Sequence, residues 1–237
     1  MQTVAPRQGG RPPLITLDDV LAIGRDLGMR RLSISAVAAR LGVSTTALYR
    51  HVDGRWDLER LVGESLLGEL DLRDDPDATV EEHLVSFAAQ LQDFTAAHPG
   101  LASYLQVLFP RGDGGRRLLA AEVDALSRRG YCADAAILLS SAVASVAISL
   151  AAREESNAGA TGGDHAGEFA AERDAVADRL AGDPQLGAAH IGVSQVSAAE
   201  FLRLLLVASI RGLVAQIPPG RPIDDIVAGL APAGRDR

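Results

Sequence analysis

The stretch Leu32–Leu61, LSISAVAARLGVSTTALYRHVDGRWDLERL, leaves this chain the least conformational freedom. Ser33 precedes apolar residues at Ile34, Val37, Ala38 and Leu41, a helical spacing, and its hydroxyl is suited to cap that helix. Gly42 stops the pattern, because glycine adopts the left-handed conformation that a tight turn needs. Val43 follows as an expected buried plug, and Ser44 caps a second short helix, Thr45–His51, with Leu48 and Val52 inward. Ala38 lies four residues before Gly42, where two helices joined in this way cross and a larger side chain would force them apart. Two short helices joined by a turn of about three to four residues with a glycine describe a helix-turn-helix.

In that motif the second helix enters the major groove of DNA. Thr45, Thr46 and Arg50 fall on its outer side and near its start, within reach of base edges. Tyr49, His51 and Arg55 flank them with donors suited to phosphate oxygens, and Ser33 and Ser44, at the two helix starts, complete the candidate DNA-contacting set. The plainer reading is a helical hairpin with a polar outer face. Two caps, the small crossing residue, the turn glycine and the outward polar set all agree with the motif, and agreement across levels favours it.

The segment ARLGVSTTALYRHVDGRWDLERLV resembles the DNA-binding segment of the tetracycline-repressor (TetR) family of transcriptional regulators. The resemblance is carried by Ala38, Gly42, Val43, Ser44, Leu48, Tyr49 and His51, and it is specific over about residues 15–65. Val52 stands where the family more often has Phe. Arg55 stands where it more often has Lys, which keeps the charge but changes the geometry offered to a phosphate. The resemblance implies a homodimer whose two heads grip successive major-groove faces of a near-palindromic double-stranded operator. It also implies a small-molecule effector that enters the body and lowers DNA affinity, and no cofactor is expected. The single cysteine, Cys132, excludes an internal disulfide framework and suits a reducing cytoplasm.

Upstream, residues 1–14 read as a flexible arm, since Gly9, Gly10, Pro12 and Pro13 oppose a helix. Thr16 with Asp19 forms a capping box ahead of a first helix whose stripe is Val20, Leu21, Gly24 and Leu27. Asp53 is expected to cap a further helix with Leu58, Leu61, Val62, Ser65 and Leu66 on its apolar face, and Trp56 to wedge against the motif. The acidic run Leu72–Thr79 breaks the pattern, so residues 15–70 are expected to form the head and 80–230 a dimerising, ligand-binding body. The net charge of −8 divides unevenly: residues 1–70 hold nine Arg against eight Asp and Glu, while the rest hold fourteen against twenty-three. A near-neutral head can still bind DNA if its arginines face the phosphates.

The remaining segments carry helical periodicity without long alternation, so the expected class is all-α. Val80, Leu84, Phe87, Leu91 and Phe94 mark one amphipathic helix; Leu119, Val123 and Leu126 are the expected inward residues of another. Ala135–Ala152 runs eighteen residues without a charge, long enough to span a membrane. Seven of these are Ala and four Ser, however, which suits a helix buried between close neighbours, and no membrane partner is expected. Asn157–Gly167 and Gly182–Ser194 read as loops. Ala198–Gln216 has one apolar face at Phe201, Leu204, Leu205, Ala208 and Gly212 and another at Leu202, Leu206 and Ile210. That is more than one core can cover, and a dimer is implied.

Within the body, Phe87, Leu91, Tyr104, Leu108 and Phe109 are the expected walls of a ligand cavity, with Glu122, Ser141 and Ser145 as polar contacts. Few charges lie among them, so the expected ligand is apolar, aromatic or polycyclic. No nucleophile motif, zinc-helix motif or phosphate loop occurs in the sequence, and neither catalytic nor metal-binding residues are expected. His165, Glu168 and Glu172 share a helical face but read as solvated. The competing readings are an all-α enzyme or binding protein, and an architectural or activating DNA binder without a ligand.

Overall fold

Each apolar stripe read above is matched by a helix. The computed structural model describes residues 15–107, 109–162, 166–188 and 196–230, and among these there are helices and no strands. The expected arm, residues 1–14, lies outside the described residues, as do Leu108, His165 and 189–194 of the expected second loop. The chain divides into two compact units between Val62 and Gly63, and the 72–79 segment lies wholly within the second.

In the first unit, α1 (Leu17–Leu27) starts at Thr16, whose hydroxyl accepts from the Asp19 N–H while Asp19 accepts from the Thr16 N–H at 2.9 Å. A single 3₁₀ turn, Met29–Arg31, leads to α2 (Ile34–Leu41). Gly42 then takes φ 69°, the left-handed turn conformation, and α3 (Thr45–Leu48) follows. The helix α4 (Arg55–Leu67) begins after Gly54. Val20, Val37, Ala38, Leu48, Val52, Leu58 and Val62 fill the core, none more than 2% exposed.

Two expectations fail here. Val43 is half-buried rather than a plug: it belongs to the turn itself, with its N–H on Ala38 O at 3.0 Å, while Leu48 and Val52 are the buried residues that follow it. Trp56 is 60% exposed, because turning Leu58 and Val62 inward puts a residue two positions earlier on the opposite side of α4. The Asp53 N–H is held by Asp57 Oδ2 at 3.0 Å, at the entry to that helix.

The second unit contains α5 (Val80–Ala97), α6 (Leu101–Val107), α7 (Asp113–Ser127), α8 (Ala133–Gly162), α9 (Ala166–Ala181), α10 (Ala198–Gln216) and α11 (Ile223–Leu230). The centre is α8, against which α5, α6, α7, α9 and α10 all pack. Ala135, Ala136, Leu139, Val143 and Ala147 are buried along it, and their small side chains permit the close approach of so many neighbours. By length and composition α8 could cross a bilayer, but half of its most apolar window is covered by this chain's own helices. It also runs past the expected break at Asn157, since the alanines there favour helix and no proline stops it. On α7 the buried residues are Leu118, Glu122, Ala125 and Leu126, with Leu119 and Val123 only half-buried, so the face is rotated from the expected one.

The first unit is closed by one tight crossing. A Cβ on Gly24 would lie 2.5 Å from Val62 Cγ2, too close without a shift of α1 against α4. Gly24→Ala is therefore expected to destabilise the unit by about 1–3 kcal/mol, as overpacking does. Thermal unfolding of the variant checks this; an unchanged midpoint would show that Val62 yields freely.

Candidate functional site

The first candidate site lies on the head. Ser33 caps α2 by accepting from the Ala36 N–H at 3.1 Å, and Ser44 caps α3 by accepting from the Ala47 N–H at 3.2 Å. These caps fix where each helix begins, and with them the direction of the side chains in the first turns. A shallow open groove of about 500 Å³ brings together Ser33, Ser35, Thr45, Tyr49 and Arg55. Five residues separated in sequence by up to twenty-two positions thus share one surface, four of them from the expected DNA-contacting set.

Thr46 and Arg50 are exposed outside that groove, and His51 is half-buried. Tyr49 is 54% exposed, a large aromatic presented to solvent beside the motif. Arg55 pairs with Glu59 at 2.6 Å, one helical turn on, which orients the guanidinium while leaving it open to a further anion. Arg50 has no ion pair among the described residues. The arrangement offers hydroxyls, a phenol and an arginine around one shallow groove, with Thr46 and Arg50 exposed outside it, which is chemistry suited to a polyanion.

The second candidate site lies in the body. A narrow cavity of about 30 Å³ is lined by Phe87 and Leu91 of α5, Phe109, Glu122 of α7, and Ser141 of α8, together with Leu67, Leu105, Leu118, Leu119, Ser140, Ala144 and Ile148. An open groove of about 340 Å³ adjoins it, sharing Phe109, Ser141 and Ala144 and adding Gln106, Ser145 and Ser149. Six of the eight expected ligand residues therefore meet at this pair of spaces: Phe87, Leu91, Phe109, Glu122 and Ser141 at the cavity, and Ser145 at the groove. Leu108 lies outside the described residues.

Tyr104 is a correction. It is buried away from the cavity, its hydroxyl donating to Glu64 Oε1 at 3.1 Å and its ring 4.6 Å from the Arg111 guanidinium. Gly63 is the cause: a Cβ there would stand 2.6 Å from the Tyr104 ring, so the missing side chain makes a slot that the tyrosine fills. The residues that sequence reasoning missed on the walls are mainly aliphatic, from α6, α7 and α8. Helical periodicity marks them as inward but cannot say that they face a space.

Behind the cavity lies a buried polar line. His83 Nε2 meets Glu122 Oε2 at 3.1 Å and His83 Nδ1 meets Asp74 Oδ1 at 2.9 Å, with the imidazole only 3% exposed. Arg129 reaches Asp74 at 2.8 Å and Arg128 at 2.6 Å. Burial acts to raise the Asp74 carboxyl, but the hydrogen bonds of Arg129 and Arg128 and the charges of His83 and Arg129 outweigh it and bring the carboxyl to about 2. Among the described residues no cluster of His, Cys, Asp and Glu is arranged to hold a metal ion.

No protein-family model matches the chain. One curated relative is an HTH-type transcriptional regulator of Saccharopolyspora erythraea, 29% identical over 101 residues; these are 41% of this chain and 43% of that regulator, so the likeness spans less than half the relative's length. Among solved structures, apo ActR from Streptomyces coelicolor has TM-score 0.69 at 20% identity, covering 85% of this chain and 96% of ActR. The TetR family protein ActR of Streptomyces coelicolor in complex with actinorhodin has TM-score 0.71 at 21% identity, covering 88% of this chain and all of that one. BioQ of Mycobacterium smegmatis has TM-score 0.60 at 16% identity, over 85% of this chain and 98% of its own.

The depressed Asp74 carboxyl gives a pH dependence whose sign can be worked out. Its folded value, about 2, lies below its ordinary 3.8. The stabilisation is complete above about pH 4 and is lost as pH falls toward about 2. Asp74→Asn is expected to lose that contribution at neutral pH and to flatten the fall in stability between these values. Urea midpoints measured across the range check it, and a wild-type-to-variant gap that stays constant down to the acid end would refute the pairing.

Proposed function

We propose that this chain, whose fold is that of the TetR family regulators, is a ligand-responsive transcriptional repressor acting as a homodimer in the cytoplasm. The observation that carries this is the head groove, where Ser33, Thr45, Tyr49 and Arg55 converge beside the outward Thr46 and Arg50. Ser44 and His51 complete the proposed contact set. Arg50, near the outer end of the short α3, reads a base edge; Arg55 and Tyr49 grip phosphates. Two heads, carried by the two copies, engage major-groove faces about 34–36 Å apart on a near-palindromic operator.

The body supplies the dimer and the switch. Phe201, Leu204 and Leu205 of α10 are 41%, 62% and 36% exposed in the single chain, an apolar stripe that a second copy would cover. Effector binding at the cavity and groove favours a state with weaker DNA affinity, and it can do so only by the difference between its affinities for the two states. The complex of ActR with actinorhodin supports reading this body as a small-molecule receiver.

Three measurements test the reading. In gel-shift titrations against operator fragments selected from a random pool, Arg55→Ala should weaken all operators alike and lower the salt slope by about one. Arg50→Ala should cost about 1–3 kcal/mol and relax one base position. Absence of salt-dependent DNA binding by the intact protein would refute the proposed function. Leu204→Arg, on the exposed stripe, should leave the helical circular-dichroism signal intact and convert dimer to monomer in sedimentation; a variant that still sediments as a dimer would place the interface elsewhere.

A further inference from the structure

The body's cavity and the groove beside it differ in chemistry. No polar atom faces the cavity, although Glu122, Ser140 and Ser141 lie on its wall. Glu122 turns Oε2 to His83 Nε2 at 3.1 Å, and Ser140 Oγ donates to Ile137 O at 3.3 Å. The groove presents polar and apolar atoms alike. Apart from Ser141, the residues common to both spaces are apolar: Leu105, Phe109, Ala144 and Ile148. Those of the groove alone are polar apart from Val107: Gln106, Ser145 and Ser149, all exposed. Polarity therefore rises from the cavity outward.

This division decides what each space can take. A water molecule needs about two to four polar partners, and the cavity wall offers none, so hydrocarbon suits it better than water. About 30 Å³ holds one or two carbon atoms and not a ring, whereas the groove, about 340 Å³, holds a ring system. Ser141, Ser145 and Ser149 recur at every fourth residue and so share one side of α8, over about 12 Å at 1.5 Å per residue. Polar partners thus extend along the groove. Ser145 Oγ donates to Ser141 O at 2.7 Å, which leaves its oxygen free to accept, and the Gln106 amide can donate and accept.

We propose that the ligand of this site is an amphiphilic ring compound: a short alkyl branch on one edge seats in the cavity, and hydroxyl or carbonyl groups on the opposite edge are met by Gln106, Ser145 and Ser149. This rests on the reading of the body as an effector-binding unit. The cavity sets the length of the branch, and the groove sets which edge faces outward. A longer chain would have to displace wall residues such as Leu91 and Leu119. A polar tip would give up its hydration with no partner in return.

The test uses the intact protein and naphthols that carry hydrogen, methyl, ethyl, butyl or hydroxymethyl on the ring edge opposite the hydroxyl, titrated by calorimetry at neutral pH. Methyl and then ethyl should each tighten binding by about fourfold, the gain expected for one buried carbon. Butyl should bind no tighter than ethyl, and hydroxymethyl no tighter than the unsubstituted naphthol. Leu91→Ala, which lengthens the cavity, should move the optimum from ethyl to butyl. Leu119→Phe, which fills it from α7, should erase the gains of methyl and ethyl. Replacing Gln106 by Leu and Ser149 by Ala together should remove the advantage of ethylnaphthol over ethylnaphthalene. Binding of none of the probes, no gain from methyl to ethyl, hydroxymethyl equal to ethyl, or an optimum unmoved in a folded Leu91→Ala variant would overturn the proposal. If Leu91→Ala does not fold, Leu119→Phe and the wild-type order decide. DNA binding by the ligand-free protein, measured alongside, separates the two readings: DNA binding without the probe order sinks this inference alone, and the probe order without DNA binding sinks the regulator alone.

Discussion

The imidazole of His83, buried between two carboxylates, is the constraint on which the second unit rests. It ties three pieces of chain that share no local sequence: the 71–79 segment through Asp74, α5 through its own backbone, and α7 through Glu122. Arg129 adds to the same knot, donating to Asp74 and to the carbonyls of Asp75 and Ala78. Leucines between α5 and α7 would permit several registers, because apolar contact has no direction. A histidine whose two ring nitrogens must each find a partner permits far fewer. The arrangement is costly to break from one side, since removing either carboxylate leaves a buried group unmatched.

A second polar contact acts at the end of α4. The Arg117 guanidinium of α7 donates to Leu67 O, Gly68 O and Leu70 O, carbonyls that the finishing helix cannot satisfy itself. Glu64, one turn earlier, accepts from the Gly115 N–H at 2.8 Å and from Tyr104. Gly114 makes this approach possible, as a Cβ there would stand 2.5 Å from Glu64 O. Arg117 and Glu122 lie on one helix, five residues apart. The same helix thus carries a residue of the cavity wall and the guanidinium that holds the last turn of α4.

What was legible in the sequence follows from the range of the interactions. The caps at Thr16, Ser33 and Ser44, the left-handed Gly42 and the inward Leu84, Phe87 and Leu91 of α5 are set within a few residues, and the structure has them where local rules put them. The errors arise where distant chain decides. Trp56 is expected as a wedge because it is large and apolar, yet turning Leu58 and Val62 inward leaves it 60% exposed. Tyr104 is expected as a cavity wall, yet a slot made forty-one positions earlier by Gly63 captures it. Glu122 was legible only as an interruption in an apolar face. That the interruption answers His83, thirty-nine residues away, is visible once the helices are assembled.

The two faces of α10 were readable, and their division follows a physical rule. Leu206 and Ile210 are 6% and 1% exposed, buried by the chain's own helices, while Phe201, Leu204, Leu205, Ala208 and Gly212 stand in solvent on the other side. The exposed set recurs at intervals of three and four residues, which makes one continuous ridge rather than scattered side chains. Hydrocarbon arranged in a ridge gains most from a partner that is itself a ridge. In the proposed homodimer a two-fold axis would supply one without any new sequence, because the same face would meet itself. Small residues in the second half of the ridge, Ala208 and Gly212, would let two such helices cross closely there, with the bulk of Phe201 and Leu204 filling the space where they diverge.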